Sequence, residues 1–224
     1  MVFSVITSAM AATSASLAGA YVGTSGWSYP SWRGGFYPAD ADPKTFLPFY
    51  AERFDTVELN TTGYRLPAEE YFARWVEQTP DGFRFAVKMP VTQRLDRIGT
   101  FVERVGLLGD RLGPLRVVVQ SARDDGLLTF LQGSLPSELE VAYDFRHDSW
   151  AGVDVPVRVN GFDGEAPFRY FRLHEPPYDD EGLHGWAARL RPLLETGTRL
   201  YCYFMHEDEP TAPRYAQRLL ELLR

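Results

Sequence analysis

An α/β fold built on parallel strands is predicted by three observations. Seven short apolar runs with strand character alternate with segments of helical character, the pattern of parallel strands joined by crossover helices. Five of these runs end in polar or charged residues: Thr56 to Asn60, Phe83 to Lys88, Val117 to Gln120, Val141 to Arg146 and Tyr170 to His174. The length of 224 residues, with 45% apolar and 24% charged residues, suits one large α/β unit.

The strands are expected near 21–25, 56–60, 83–88, 115–120, 139–145, 168–174 and 199–204. A first helix is expected over Pro43 to Phe54, with Asp42 as N-cap and Pro43 at the first helical position, where its missing N–H costs nothing. A second runs from Pro67 to Gln78, with Phe72, Trp75 and Val76 at the spacing of a core-facing stripe. Further helices are expected around 100–112, 124–134, 180–195 and 212–223. Between Trp150 and Phe168 stand Gly152, Pro156, Gly161, Gly164 and Pro167, too many helix breakers for a full amphipathic helix. Val153 to Val159 is expected to form at most a short strand, so the architecture is incomplete or distorted around 150–167. Residues 1–20 are Ala/Ser/Thr-rich, lack Lys and Arg, and read as a disordered extension; residues 21–224 then form a single domain.

A net charge of −7 and a pI near 5.2 oppose a large basic nucleic-acid footprint but leave room for a local cationic pocket. One cysteine, Cys202, cannot form an intramolecular disulfide and lies in the apolar run 200–204, which makes it a small buried hydrophobe. These features fit a cytoplasmic protein with no membrane-spanning segment.

Alternation along a strand puts Glu58 with Asn60, Asp144 with Arg146, and Arg172 with His174 on common faces, and turns Leu59, Phe145 and Leu173 the other way. In a parallel α/β barrel such residues converge at the carboxyl ends of the strands, where active sites form. Glu58, Asp144 and His174 are the candidate catalytic groups. Two carboxylates divide acid and base roles when their surroundings separate their pKa values; the alternative is that each is locked in an ion pair with Lys88 or Arg146. Lys88, Arg146 and Arg172 form a cationic group from three strands suited to a carboxylate or phosphate, unless they serve as internal partners of the two carboxylates. Schiff-base chemistry at Lys88 would need a depressed pKa that nothing in the sequence indicates. Asn60, Tyr64, Gln120, His147 and Trp150 complete the expected ligand-binding set. No His-x-His or His-Glu-x-x-His spacing, phosphate-cradling glycine loop, dinucleotide fingerprint or serine nucleophile elbow occurs. His147 and His174 with Glu58 and Asp144 offer donors for a mixed N/O metal site, but without metal-ligand spacing that signal is weak, and no cofactor or metal is expected.

Several motifs also carry a family resemblance. Gly23-Thr24-Ser25-Gly26-Trp27-Ser28-Tyr29, then Trp32-Arg33-Gly34 and Phe36-Tyr37-Pro38, resemble the opening of the YecE-like family, domain of unknown function seventy-two. Glu58-Leu59-Asn60-Thr61-Thr62 with Tyr64, Phe83 to Lys88, Leu112-Gly113-Pro114 with Gln120, Phe145-Arg146-His147 with Trp150, and Arg172-Leu173-His174 continue it in the family's order. The resemblance implies a TIM-like (β/α) barrel and no established reaction. The chain departs from the pattern at Asp144, where Glu is usual, at Glu175, where Gly is usual, and at Phe204-Met205-His206, in place of Phe-Asn-Asn. The region after Trp150 also reads as shortened.

The functional expectation is a strand-end pocket for a small anionic or polyhydroxylated ligand, with acid/base hydrolysis or isomerisation as its chemistry. The alternatives are a non-catalytic ligand-binding or interaction protein and a metal-dependent nuclease-like barrel. Nucleic acid is the less favoured partner, and the flank at 150–167, expected to be thinly covered, would need a partner subunit in a homo-oligomer or the N-terminal extension over it.

Overall fold

A computed structural model describes residues 18–60, 62, 66–91, 97–205 and 209–224. Among the described residues it is an α/β structure of seven parallel strands in two sheets. The strands are β1 (Ala20–Thr24), β2 (Thr56–Leu59), β3 (Arg84–Pro90), β4 (Leu112–Val119), β5 (Val141–Phe145), β6 (Phe168–Leu173) and β7 (Arg199–Phe204). One sheet has the order β2-β3-β4-β5 and the other β1-β7-β6. The helices are α1 (Phe46–Ala51), α2 (Glu69–Glu77), α3 (Ile98–Gly106), α4 (Asp125–Ser134), α5 (Asp180–Glu195) and α6 (Thr211–Leu223). No helix among the described residues is long and apolar enough to cross a membrane.

The expected elements all form, with bounds that shift by up to a few residues. The expected helix over 43–54 is a 3-10 turn over Pro43–Thr45 followed by α1, with the Asp42 carboxylate accepting from the Lys44 amide at 2.8 Å. The expected helix over 100–112 starts earlier, at Ile98, ends at Gly106 and is followed by a separate 3-10 turn over Gly109–Arg111. Asp124 caps α4 by accepting from the Leu127 amide, satisfying one of the donors left open at a helix start. β1 begins at Ala20, one residue inside the range expected to be an extension; residues 1–17 lie outside the described residues.

Two apolar clusters follow from strand alternation. The larger lies between the sheets and the helices and includes Leu59, Val87, Val117, Phe171 and Leu173. The smaller brings the opposite strand faces together: Ala86 and Ala142 from one sheet meet Phe168, Tyr170, Tyr201 and Tyr203 from the other. Small residues on one side make room for large aromatic ones on the other, the complementary filling that close packing requires.

The sheets also touch at both edges. Ser25, just past β1, bridges to Glu58 of β2, and the Gly26 amide donates to the Glu58 carbonyl at 2.9 Å. Gly23 permits the approach there: a Cβ would run into the Thr56 carbonyl and the Tyr50 hydroxyl, which accepts from the Thr24 amide at 2.8 Å. At the other edge the stretch 157–160 lies between β5 and β6. The Tyr143 amide donates to the Val157 carbonyl, the Val159 amide to the Tyr143 carbonyl, and the Asn160 amide to the Tyr170 carbonyl, each at 2.9 Å.

As the glycines and prolines predict, residues 151–167 contain no helix. The segment nevertheless covers its own flank. Phe162 packs on Phe171 and Trp186, and buried Arg169 donates to the Asp163 and Gly164 carbonyls. Cys202 is fully buried, and burial pushes its thiol pKa up, away from thiolate chemistry.

Candidate functional site

At the carboxyl ends of the strands a buried charge network underlies an open cavity. Glu58 of β2 is 0% exposed, because the sheet edge at Ser25 and the aromatic side chains of the second sheet close over it. Its carboxylate accepts from the Tyr170 hydroxyl at 2.7 Å, the Ser25 hydroxyl at 3.0 Å and Arg172 Nε at 3.1 Å. Arg116 Nε approaches Glu58 Oε1 to 2.8 Å without hydrogen-bond alignment, so this contact is an ion pair. Arg116, itself 2% exposed, donates through Nη1 to Asp144 Oδ2 and through Nη2 to Asn60 Oδ1 at 3.0 Å. Asn60 returns a hydrogen bond from Nδ2 to the Ser25 hydroxyl, and Arg146 Nη2 donates to Asp144 at 2.7 Å.

Burial is the largest single influence on Glu58 and opposes its ionisation. Arg116, Arg172 and the Tyr170 and Ser25 hydroxyls together outweigh it and hold the carboxyl at about 2. A carboxylate so saturated keeps its charge at neutral pH and has no proton to donate. The Tyr170 phenol is pushed well above its usual value by burial and by Glu58, so it serves as a neutral donor.

Above this network lies a cavity of about 650 Å³ lined by Ser25, Tyr29, Asn60, Lys88, Arg116, Val118, Gln120, Arg146, Arg172 and Met205. Register explains the convergence. Lys88 on β3 pairs with Arg116 on β4, and Arg116, Val118 and Gln120 alternate onto one face. The described lining carries four cationic side chains and no carboxylate; Glu58 and Asp144 stand behind it. Lys88 is held below the usual lysine range, first by burial and then by Arg116 and Arg172, with Arg146 adding to this and Glu58 opposing it.

Of the residues expected at a site, Asn60, Lys88, Gln120, Arg146 and Arg172 line this cavity, and Glu58 and Asp144 are bonded to its arginines. Three are elsewhere. Trp150 is fully buried, stacks on Phe145 at 4.4 Å between centroids and donates from its indole to the Ser121 carbonyl, so its ring is core and offers no face to a ligand. His147 is exposed and caps the 3-10 turn 148–150 by accepting from the Ser149 amide. His174 is exposed, because β6 ends at Leu173 and alternation with Arg172 ends with it. Tyr64 and His206 lie outside the described residues.

Sequence reasoning missed Arg116, Ser25, Tyr29, Tyr170 and Met205. Arg116 had a signal: one arginine inside the otherwise apolar stretch 112–119, two and four residues before Val118 and Gln120. Tyr170 carried none, since an aromatic residue in a strand is ordinary.

A family model described as "Protein of unknown function DUF72" matches residues 21–162 and 153–224, and the chain belongs to that family. The UPF0759 protein YecE of Escherichia coli K12 is 35% identical over 139 residues, an alignment covering 57% of this chain and 48% of that protein. The chain thus spans about half the length of the curated relatives it matches. Among solved structures, a DUF72 family protein from Enterococcus faecalis V583 has a TM-score of 0.68 at 16% identity, covering 91% of this chain and 97% of that one. A second, from Thermotoga maritima MSB8, has a TM-score of 0.62 at 24% identity with the same coverage. These likenesses show the fold shared across the family.

Proposed function

We propose that this DUF72-family chain is a TIM-like barrel, distorted at 151–167, that binds a small anionic ligand in its strand-end cavity. The contacts at both sheet edges support the barrel reading, with 157–160 standing where a further strand would run. One observation carries the ligand reading: among the described residues the lining presents Lys88, Arg116, Arg146 and Arg172 while both nearby carboxylates stand behind it, each paired with arginines. Arg146 is the leading anchor. It stands on the rim with its side chain 42% exposed, and only one terminal nitrogen is committed to Asp144. A carboxylate or phosphate there accepts charge-assisted hydrogen bonds from a guanidinium fork, and Gln120 adds a polar group for hydroxyls.

The same arrangement weighs against the alternatives. A divalent metal at Glu58 would need lone pairs that arginines and hydroxyls already occupy, and general-acid catalysis by Glu58 would need a proton that a group at about 2 does not hold. The test is calorimetric titration of inorganic phosphate, phosphorylated sugars, carboxylates and neutral sugars into the wild type and Arg146→Ala. Anions are expected to bind and neutral sugars not to, with the anions weakened in the variant; equal binding of charged and neutral ligands would overturn the reading.

A further inference from the structure

The chain contains 21 arginines and two lysines, Lys44 and Lys88. Where a fixed positive charge suffices, this sequence uses arginine, and the cavity already holds three. Lysine differs in being able to lose its proton and act as a nitrogen nucleophile. One of the two lysines is exposed on a 3-10 turn, and the other lines the strand-end cavity on β3, opposite Arg116 in the strand register.

We propose that Lys88 forms a Schiff base with the carbonyl carbon of an anionic oxo compound, such as a 2-oxo acid or a phosphorylated aldehyde or ketone, whose anionic group is held by Arg146. This rests on the anion-binding reading and adds to it the reacting group and the substrate class. The Lys88 Nζ lone pair attacks the carbonyl carbon and a C–N bond forms. The carbonyl oxygen leaves as water carrying one proton from Nζ and one from solvent, and the nitrogen keeps one hydrogen as an iminium ion. No electrons are gained or lost. The cluster of groups suits the step: burial and the Arg116 and Arg172 charges lower the Lys88 pKa, the direction that favours the free amine. Arg146, beyond the end of β5, adds to that effect; Glu58, across on β2, opposes it but is neutralised by its own arginines. Tyr29, on the loop after β1, has its phenol raised to about 12 by burial and by Glu58, so it faces the cavity uncharged.

The whole chain is incubated with glyoxylate or pyruvate, and in parallel with neutral propanal, in the presence of cyanoborohydride, which reduces an iminium to a stable secondary amine. Peptide mass mapping then locates the label. With one exposed lysine as an internal control, the expected result is preferential labelling of Lys88 over Lys44 by the anionic probes, suppression of that label by inorganic phosphate, and its loss in Lys88→Arg, which keeps the charge. Labelling of Lys88 no greater than that of Lys44 in the wild type would overturn the inference whether or not the variant folds. Calorimetry would separately retain or reject anion binding. Preferential labelling of Lys88 that is equally strong with propanal and insensitive to phosphate would support the lysine chemistry and reject anion selection.

Discussion

The buried half of the charge cluster and its rim both carry arginine yet behave as different materials. Glu58, Arg116 and Arg172 are enclosed, and each bonds to at least two neighbours within the network. Arg146, with its side chain 42% exposed, and half-buried Lys88 line the cavity with more solvent access, where a ligand would meet them. A buried guanidinium is part of the fold, because desolvating it is tolerable only while its carboxylate stays in place. A rim guanidinium is available to an incoming anion and contributes little to stability. The difference between the two regions is thus one of solvent access and partner saturation.

The comparison is tested most severely at Arg116. Arg116→Ala removes the group that joins Glu58, Asp144 and Asn60 and should cost about 3–5 kcal/mol of unfolding free energy, the range for breaking a buried ion pair; denaturant unfolding measures it. A loss below about 1 kcal/mol would place Arg116 with the rim.

Acid titration is next. The folded-state pKa of Glu58 lies below its ordinary value, so the resulting stability is fully present above about pH 4.5 and is lost as pH falls toward 2. It amounts to about 3 kcal/mol from the relation between pKa and free energy. Glu58→Gln should flatten the acid limb of the stability profile over that window while lowering stability at neutral pH, because Arg116 and Arg172 lose their shared counter-charge. An unchanged acid limb would show that other carboxylates govern acid unfolding.

At the rim, Arg146→Ala should weaken binding of inorganic phosphate by about 1.5–3 kcal/mol, the range for hydrogen bonds to charged groups, with unfolding free energy changed by less than about 0.5 kcal/mol. Tyr170→Phe is the smallest change in atoms and the mirror image in effect. It removes one hydroxyl from Glu58 and should cost about 1.5 kcal/mol of stability, since the carboxylate keeps Ser25, Arg116 and Arg172, while phosphate binding stays as in the wild type.

Much of this architecture was legible in advance because it depends on local patterning. Alternating apolar runs mark strands, Asp42 and Asp124 mark caps, and the face rule puts Glu58 with Asn60 and Asp144 with Arg146, two pairs that now share one network. The illegible part depends on partners distant in sequence. Of the cations expected to pair with the carboxylates, Arg146 meets Asp144 and Arg172 meets Glu58. The unexpected partner is Arg116, which meets Glu58 only because β3 lies between β2 and β4 and Glu58 faces inward. Trp150 and His174 mislead for a related reason. A large aromatic residue after a strand reads alike whether it covers the core or faces a ligand, and the face rule stops applying where the strand does.

The most direct test sets Arg146→Ala beside Tyr170→Phe, with phosphate titration and denaturant unfolding run on both. A crossed result is predicted: the arginine variant loses phosphate affinity and keeps its stability, and the tyrosine variant loses stability and keeps its affinity. If both variants lost both properties, or if Arg146→Ala bound phosphate as the wild type does, the separation of a structural charge network from a ligand-facing rim would be contradicted.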